Sequence, residues 1–360
     1  MRVSSLRSES GSSGPVAKDC HRFLVAGPFL PATCGCCSRV HDTGHCWLEH
    51  SWAPSAPAWG RGLRIIILRE VKSPMPAPSK RSIEQYYAEF AEQERLNSGM
   101  GQLEFERTKR ILCRFLAAAP AVIVDVGGGA GPYSFWLAEL GYETHLIDYS
   151  ERLVELCRGR ILANPQGPRP RSAEVGDARS LPQADASCDA VLMFGPLYHL
   201  VERTDRVRAV REACRILKPG GFVFAATISR FASLIAALCE GLLHDATFVS
   251  IVEADLETGR HRNPTDNISF FTDAFFHRNG EIRAELEEGG FSLVAQVPIE
   301  GLGCVAKDVD SIWAELHSRE VLLKMLERTA TIEEISGLSY HVITVGQKPA
   351  KADTHLLGRR

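Results

Sequence analysis

Short apolar runs alternate with segments of helical period between residues 121 and 347. Apolar runs bounded by Gly, Pro or Asp are typical of strands that are buried on both faces of a parallel sheet. The predicted strands cover residues 121–126, 143–147, 172–175, 188–194, 221–227, 291–297 and 339–347. This alternation favours an α/β fold with a Rossmann-like, seven-stranded, mostly parallel sheet, an antiparallel last strand and helices on both faces.

Apolar residues repeated every three or four positions mark the helices, two of which precede the first strand. The predicted helices cover residues 82–96, 102–118, 132–140, 151–162, 206–217, 281–288 and 311–328. About fifty residues after the fifth strand fit neither pattern, and an insertion of that length is usually a lid or a binding element. We therefore expect an N-terminal helical lid, an α/β domain with a substrate-binding insertion, and a tail at residues 75–119, 120–348 (insertion about 228–278) and 349–360.

The first 74 residues differ in composition from the rest of the chain. They contain three of the five Trp and five of the eleven Cys, but they show no sustained period. A Cys-x-x-Cys pair that begins at Cys34 precedes a His-x-x-x-His pair that begins at His41, yet the intervening three residues are too few for a zinc finger. We expect no metal site. Because Met75 opens a segment that leads into a clean helix, we interpret residues 1–74 as a disordered or spurious extension.

Composition and charge exclude several kinds of protein. Hydrophobic residues make up 45% of the chain, but no stretch approaches the roughly 20 apolar residues of a membrane span. The net charge of −3 argues against a DNA-binding protein, which needs a surplus of Lys and Arg. The cysteines after residue 75 are scattered singly through apolar segments, as in a reduced, cytoplasmic protein. We expect no membrane and no DNA partner.

A glycine-rich turn follows the first predicted strand and leads directly into a helix. Its sequence is Asp125-Val-Gly127-Gly128-Gly129-Ala130-Gly131-Pro132. Glycines allow a tight turn and a close approach to a ligand, and Asp148 at the end of the next strand can accept both hydroxyls of a ribose. The spacing departs from the dinucleotide pattern at Pro132, and no Gly-Lys-Ser/Thr follows. Since Asp125 would repel a pyrophosphate, the pattern indicates an adenosine ligand that carries a cationic group.

These residues resemble the first motif of class I S-adenosylmethionine-dependent methyltransferases. Three further segments resemble that family in order and spacing: Val175-Gly-Asp-Ala178, Asp189–Leu200 and Arg215–Gly221. The resemblance covers roughly residues 82–348. It implies a transferase that moves a methyl group from S-adenosyl-L-methionine to an oxygen or nitrogen of a small molecule.

The resemblance also implies the site residues. The cofactor-binding residues would be Asp125, Gly127, Gly128, Gly129 and Gly131 at the methionine end, Asp148 and Tyr149 near the ribose, Asp177 and Ala178 at the adenine, and Phe194 beside the adenine or methyl group. His199 follows the fourth strand, where the methyl group should emerge, and is a candidate general base or a structural hydrogen-bonding group. The candidate acceptor-binding residues are Tyr86, Tyr87, Tyr198, His261 and His277. Asp177 could instead cap a helix, and Lys218-Pro-Gly-Gly221 is interpreted as a structural turn.

Three alternatives stay open on the residues alone. An aminopropyltransferase also has a glycine-rich loop, but it needs acidic residues after the fourth strand, where Phe194–Leu197 supplies none. A tRNA methyltransferase of the same fold could hold RNA with a few basic residues such as Arg203, Arg206 and Arg208. A non-catalytic protein that binds S-adenosylmethionine would carry the same cofactor motifs. The acceptor and the oligomeric state stay open as well.

Overall fold

The computed structural model describes residue 79, residues 82–89 and residues 92–350. The predicted extension at residues 1–74 lies outside the described residues, as do the last ten residues of the predicted tail. In the described part of the chain, every helix is too short or too polar to cross a lipid bilayer.

A seven-stranded sheet forms the centre of the fold. The strands are β1 Val122–Val126, β2 Glu143–Asp148, β3 Ser172–Val175, β4 Cys188–Met193, β5 Leu217–Ile228, β6 Arg260–His261, β7 Ala274–Phe275, β8 Ser292–Pro298 and β9 His341–Gln347. The order in the sheet is β3-β2-β1-β4-β5-β9-β8, while β6 and β7 form a separate two-stranded sheet. Strands β1 to β5 pair in parallel, and β9 is antiparallel to both β5 and β8. The predicted fold class, including the antiparallel last strand, is confirmed.

Helices cover both faces of the sheet. They are α1 Ile83–Glu89, α2 Glu92–Arg95, α3 Gly99–Phe115, α4 Pro132–Glu139, α5 Glu151–Ala163, α6 Pro196–His199, α7 Arg203–Ile216, α8 Ala232–Glu240, α9 Ala246–Thr258, α10 Asn279–Glu288, α11 Val309–Ala314 and α12 Leu316–Thr329. One apolar core joins the sheet to α7 and α10, and a second joins the opposite face to α3 and α4. Burial on both faces explains why β1 and β4 are almost continuously apolar.

The parallel arrangement decides where a ligand can bind. The carboxyl ends of β1, β2, β4 and β5 meet at one edge of the sheet, where open α/β sheets bind their ligands. Because β9 runs antiparallel, its first residue lies at this same edge: His341 pairs with Ile228, the last residue of β5. This edge therefore carries residues from the middle of the chain and from its far end.

Two local predictions are corrected by the structure. The single helix predicted at 311–328 is divided into α11 and α12, because Glu315 has an extended backbone and its side chain caps α12. The predicted turn at Lys218–Gly221 is part of β5, although its pairing with β4 is irregular. Leu217 pairs with Cys188 and Phe222 with Ala190, so five steps along β5 face two steps along β4. Gly220, with φ of +83°, accommodates this excursion.

The segment between β5 and α10 forms a small subdomain. Helices α8 and α9 pack around a cluster that contains Phe248, Ile251 and Phe270, and β6 and β7 form an antiparallel pair beside it. Ser79, which precedes α1, is joined to this subdomain because its hydroxyl donates to Asp273. The boundaries of the lid, the domain and the insertion stay predictions.

Candidate active site

The turn between β1 and α4 holds the glycines that the sequence singles out. Gly127, Gly129 and Gly131 have φ of +77°, +57° and +84°, a region that residues with a Cβ rarely adopt. A Cβ on Gly127 would lie 2.5 Å from Cδ of Pro196, the first residue of α6. The N–H of Gly127 donates to the carbonyl of Ile147 at 2.7 Å, which ties the turn to the end of β2. The backbone is therefore held close to three strand ends.

Asp148 ends β2 and supports the turn through its carboxylate. Oδ2 accepts from the N–H of Gly129 and Oδ1 from the N–H of Ser150, both at 2.8 Å. Burial raises the pKa of Asp148. A carboxylate has about four lone-pair positions, so this one can still accept from the hydroxyls of a ligand. Tyr149, the next residue, is 59% exposed.

Asp125 lies in β1 with its side chain fully buried. Its Oδ2 accepts from the hydroxyl of Ser134 at 2.7 Å, while Oδ1 has no hydrogen-bond partner among the described residues. Burial raises the pKa of Asp125 to about 7. A buried, unpartnered carboxylate oxygen is unfavourable, and a cationic group in the adjacent cavity would satisfy it. This orphaned oxygen fits the ammonium and sulfonium of the cofactor that the resemblance implies.

Asp177 follows β3 and is held by Arg179. Arg179 donates to both carboxylate oxygens, with an Nη2–Oδ2 distance of 2.6 Å, and its Nη1 donates to Asp205 at 2.9 Å. These hydrogen bonds lower the pKa of Asp177. No helix begins between β3 and β4 in the described chain, so Asp177 is not a helix cap. An adenine amino group at this position would share the carboxylate with Arg179.

A cavity of about 490 Å³ extends along the carboxyl edge of the sheet. Such a volume is typical of small-ligand sites. The predicted cofactor residues that line it are Asp125, Gly127, Gly128, Gly129, Asp148, Tyr149, Asp177, Ala178 and Phe194. Gly131 does not line the cavity, because it precedes the first turn of α4 and faces Cys157. The ring of Phe194 packs edge-on against Tyr133, with centroids 5.1 Å apart.

His199, at the end of α6, lines the same cavity and meets the N-terminal helix. Its Nε2 lies 2.8 Å from the hydroxyl of Tyr87 in α1. The ring of Phe271, from the insertion, lies 5.6 Å from that of His199, and Tyr86 packs against Phe271 at 5.1 Å. Burial lowers the pKa of His199 to about 4, so its ring is neutral at physiological pH. Tyr87 and Tyr198 line the cavity, whereas Tyr86 is buried behind it.

The structure places His261 and His277 away from this cavity, which corrects the expectation that they bind an acceptor. Both side chains are buried. The two ring nitrogens of His261 are bonded to Asp255 and to the carbonyl of Phe270, each at 2.8 Å. Nε2 of His277 lies 3.3 Å from a carboxylate oxygen of Glu285. Both histidines therefore serve the packing of the insertion and its junction with α10.

Sequence reasoning missed a charged cluster at the other end of the cavity. Arg95 of α2, Glu104 of α3 and His341 of β9 line this end. Arg95 donates to both oxygens of Glu104, and Nδ1 of His341 lies 2.8 Å from Oε1 of Glu300. In sequence, Arg95 and Glu104 look like exposed positions on amphipathic helices, and His341 looks like an ordinary strand residue. No local pattern could have grouped them.

This cluster also contains the atoms that come nearest to a metal-binding arrangement in the described chain. Ligand-type atoms of Glu104, Glu300 and His341 lie within 4.8 Å of one another. However, the guanidinium of Arg95 already binds Glu104, and the His341 ring already binds Glu300. The guanidinium of Arg95 and the Nδ1 of His341 already occupy the two carboxylates, so the cluster needs no cation.

The strand order, the glycine turn and three carboxylates at successive strand ends define a Rossmann-like α/β protein that binds a nucleoside ligand. Comparison with known proteins is consistent with this class. Residues 124–225 match a family model described as a methyltransferase domain. The structure of the PH0226 protein from Pyrococcus horikoshii has a similar fold, with a TM-score of 0.50 and 17% identity over 74% of this chain and all of that one.

Two curated relatives match the same region more closely in sequence. The ubiquinone/menaquinone biosynthesis C-methyltransferase UbiE of Acidiphilium cryptum is 35% identical over 133 residues, which are 36% of this chain and 49% of that protein. The mouse tRNA (carboxymethyluridine(34)-5-O)-methyltransferase ALKBH8 is 32% identical over 114 residues, 31% of this chain and 15% of that protein. The chain thus spans less than half the length of either relative. The comparisons support a class I S-adenosylmethionine-dependent methyltransferase domain within this chain, with S-adenosylmethionine as the cofactor.

Proposed function

We propose that this protein transfers a methyl group from S-adenosylmethionine to an oxygen or nitrogen of a small molecule. The observation that carries the proposal is the cavity, which extends from the glycine turn to a second group of polar residues beyond Phe194. A protein that only binds S-adenosylmethionine does not need this second part of the cavity, whereas a methyltransferase needs it to hold the acceptor.

The proposed roles follow from positions along the sheet edge. Asp148 accepts hydrogen bonds from the ribose, and Asp177 with Arg179 borders the adenine, because β2 and β3 lie on one side of β1. Asp125 and the glycine turn hold the cationic methionine end. When bound, S-adenosylmethionine supplies a methyl group on a positively charged sulfur that leaves as a neutral thioether. The protein therefore contributes orientation, exclusion of water and removal of the acceptor's proton.

Two features of the mouth of the cavity support a small acceptor. Helix α1 lies against it, with Tyr87 bonded to His199, and the insertion covers the same side through Phe271. The arginines that could hold RNA are engaged with the protein itself. Arg206 is buried and bonded to Glu285, and Arg203 pairs with Glu288.

The test is a methyl-transfer assay with radiolabelled S-adenosylmethionine on a cell extract separated into small-molecule, RNA and protein pools. We expect label in the small-molecule pool. Label only in RNA would favour the tRNA methyltransferase alternative, and tight cofactor binding without label in any pool would favour a non-catalytic binding protein.

The Asp148→Ala variant is the negative control for the cofactor site. It removes the carboxylate that supports Gly129 and faces the ribose, and we expect about 30-fold weaker binding of S-adenosylhomocysteine by calorimetry, or about 2 kcal/mol. Asp185→Ala is the matched control, since the Asp185 side chain is 79% exposed and pairs only with Arg215 in the described structure. Unchanged binding in Asp148→Ala would contradict the ribose assignment.

A further inference from the structure

The charged end of the cavity lies on the same face and edge of the sheet as the cofactor turn. Side chains alternate between faces along a strand, so Asp125 shares its face with Ile123, and His341 shares its face with Ile343 and Val345. Ile123, Ile343 and Val345 belong to one apolar cluster beneath α3 and α4. His341 therefore projects toward the face on which Asp125 lies.

The strand order then separates two halves of this edge. The residues proposed to hold the adenosine follow β2 and β3, on one side of β1, whereas β4, β5 and β9 lie on the other side. Three strand spacings of about 4.8 Å put β9 roughly 14 Å from β1. The side chains that line the cavity along this second half include Phe194, Ala226 and His341. If the adenosine occupies the first half as proposed, this second half is left for a methyl acceptor.

His341 is held there by a buried carboxylate. Glu300 has no exposed surface, and its Oε2 accepts from the hydroxyl of Ser339 at 2.7 Å and from the N–H of His341 at 2.9 Å. Its Oε1 lies 2.8 Å from Nδ1 of His341. Since an ionised carboxylate only accepts hydrogen bonds, Nδ1 carries a proton, and Nε2 of the neutral ring is left as the acceptor.

Nε2 of His341 is available to the cavity. It makes no hydrogen bond to any described residue, and the side chain is 23% exposed. The charged groups around the ring are Glu300 after β8, Glu104 of α3 at 3.9 Å, and Arg95 of α2, which binds Glu104. Burial alone would lower the pKa of His341, but the two carboxylates outweigh it and raise the pKa above its ordinary value. A base whose pKa lies near physiological pH is the most effective one.

His199 lines the same cavity, but its hydrogen bonding and its pKa differ from those of His341. Its Nε2 is already bonded to Tyr87, and burial lowers its pKa to about 4. A ring with that pKa is a weak proton acceptor at physiological pH. The two histidines therefore differ in their pKa and in whether Nε2 is free to accept a proton.

We propose that His341, oriented by Glu300, is the general base of the acceptor site and that the acceptor is a neutral molecule with a weakly acidic O–H, such as a phenol or enol. The proposal rests on the proposed methyltransferase function. In the step, the acceptor oxygen forms a bond to the methyl carbon while the carbon–sulfur bond breaks, and the electron pair of that bond stays on sulfur. The acceptor's proton moves to Nε2 of His341, and the resulting imidazolium is stabilised by Glu300 and Glu104. An acceptor that is already a carboxylate would need no such base.

The first experiment needs no acceptor. In the complete chain saturated with S-adenosylhomocysteine, the ring of His341 is followed by NMR with isotope-labelled histidine as the pH is changed. We expect a pKa above the ordinary value near 6.5, a neutral ring with its proton on Nδ1, and a lower pKa in Glu300→Gln. A neutral ring with its proton on Nε2, or a titration unaffected by Glu300→Gln, would overturn the proposal.

The second experiment measures methylation of the small-molecule pool by labelled S-adenosylmethionine as a function of pH. Activity should rise with pH through the pKa of His341 found by NMR, and the rise should move to lower pH in Glu300→Gln. His341→Asn should lower the rate about 100-fold or more with unchanged affinity for S-adenosylhomocysteine. His145→Asn is the matched control, since His145 lies on β2 with a 25% exposed side chain and does not line the cavity.

The two proposals fail in distinguishable ways. If the parent protein labels no pool, the proposed function is wrong. If the parent labels the small-molecule pool and His341→Asn does so at the parental rate, or if activity falls only below about pH 4 as expected for His199, the assignment of His341 alone is wrong. Calorimetry with S-adenosylhomocysteine shows for each variant whether the cofactor site has remained intact.

Discussion

The two halves of the cavity are built in different ways. The cofactor half uses residues from a short stretch of chain, Asp125 to Asp177, and its three Asp residues lie at or just after the carboxyl ends of strands of the same parallel sheet. The half that we propose binds the acceptor, the acceptor half, combines Tyr87 from α1, Glu104 from α3, His199 from α6 and His341 from β9. The first half depends on backbone geometry that the local sequence dictates, while the second depends on contacts between distant segments. We therefore expect substitutions in the cofactor half to weaken cofactor binding and substitutions in the acceptor half to affect the acceptor.

The largest effect is expected from Gly127→Ala, in the cofactor half. The added Cβ would lie 2.5 Å from Cδ of Pro196. The alanine would also have to keep a φ of +77°, so the turn must move. We expect at least 100-fold weaker binding of S-adenosylhomocysteine, about 2.7 kcal/mol, measured by calorimetry. Gly159→Ala is the matched control: no atom of the described residues lies within 4 Å of its Cβ position in α5, and alanine favours a helix. Equal binding in the two variants would refute a rigid cofactor half.

A smaller effect that depends on pH is expected from Asp125→Asn. Burial raises the pKa of folded Asp125 to about 7, above the unfolded value near 3.8. Between those pH values the folded protein holds a proton that the unfolded chain has released. Asp125 therefore destabilises the ligand-free protein increasingly as the pH rises through this window, by about 1.4 kcal/mol for each unit of the shift.

The variant should consequently show two opposite changes. Without ligand, Asp125→Asn should melt at a higher temperature than the parent at pH 8, and the difference should shrink toward pH 4. It should bind S-adenosylmethionine about 10-fold more weakly at pH 8, with a smaller loss for S-adenosylhomocysteine, which keeps the ammonium group but lacks the positive charge on sulfur. Thermal melting and calorimetry at both pH values measure these changes. If the variant kept the parental pH dependence of melting, the buried carboxylate would not be the cause.

The smallest effect is expected from Tyr87→Phe, in the acceptor half. The change removes the 2.8 Å hydrogen bond between α1 and His199 but keeps the ring. We expect a three- to fivefold higher KM for the acceptor, about 1 kcal/mol, with unchanged affinity for S-adenosylhomocysteine. Tyr142→Phe is the matched control, because its hydroxyl donates to the carbonyl of Ala117 outside the cavity. A loss of cofactor affinity in Tyr87→Phe would show that the two halves are coupled.

The residues of the cofactor half were easier to predict from the sequence than those of the acceptor half. The sequence predicts that Asp125, Asp148 and Asp177 lie close together, because strands and the acids at their ends are consecutive and the parallel fold brings equivalent strand ends together. All three line one cavity, while their roles toward the cofactor stay a proposal. Arg179 was missed, although it lies only two residues after Asp177, because an ion pair within a loop leaves no periodic signal.

Local sequence patterns were not sufficient to predict the residues of the acceptor half. His261 and His277 were grouped with a substrate because they lie among aromatic residues, but the fold uses both as buried hydrogen-bonding groups. His341 carries no local signal, since its partner Glu300 is 41 residues away and Glu104 lies in another helix. Only the insertion of β9 between β5 and β8 places its first residue at the carboxyl edge.

The order of apolar runs, helices and glycines along the chain was enough to determine the parallel sheet and the cofactor turn, because strand burial and backbone freedom at glycine are properties of nearby residues. The composition of the acceptor half was decided by tertiary structure. The position and the charge state of each side chain in that half depend on the antiparallel direction of β9, on the helices that cover one face of the sheet, and on the buried charges nearby. These are contacts between segments far apart in sequence, so no local pattern records them.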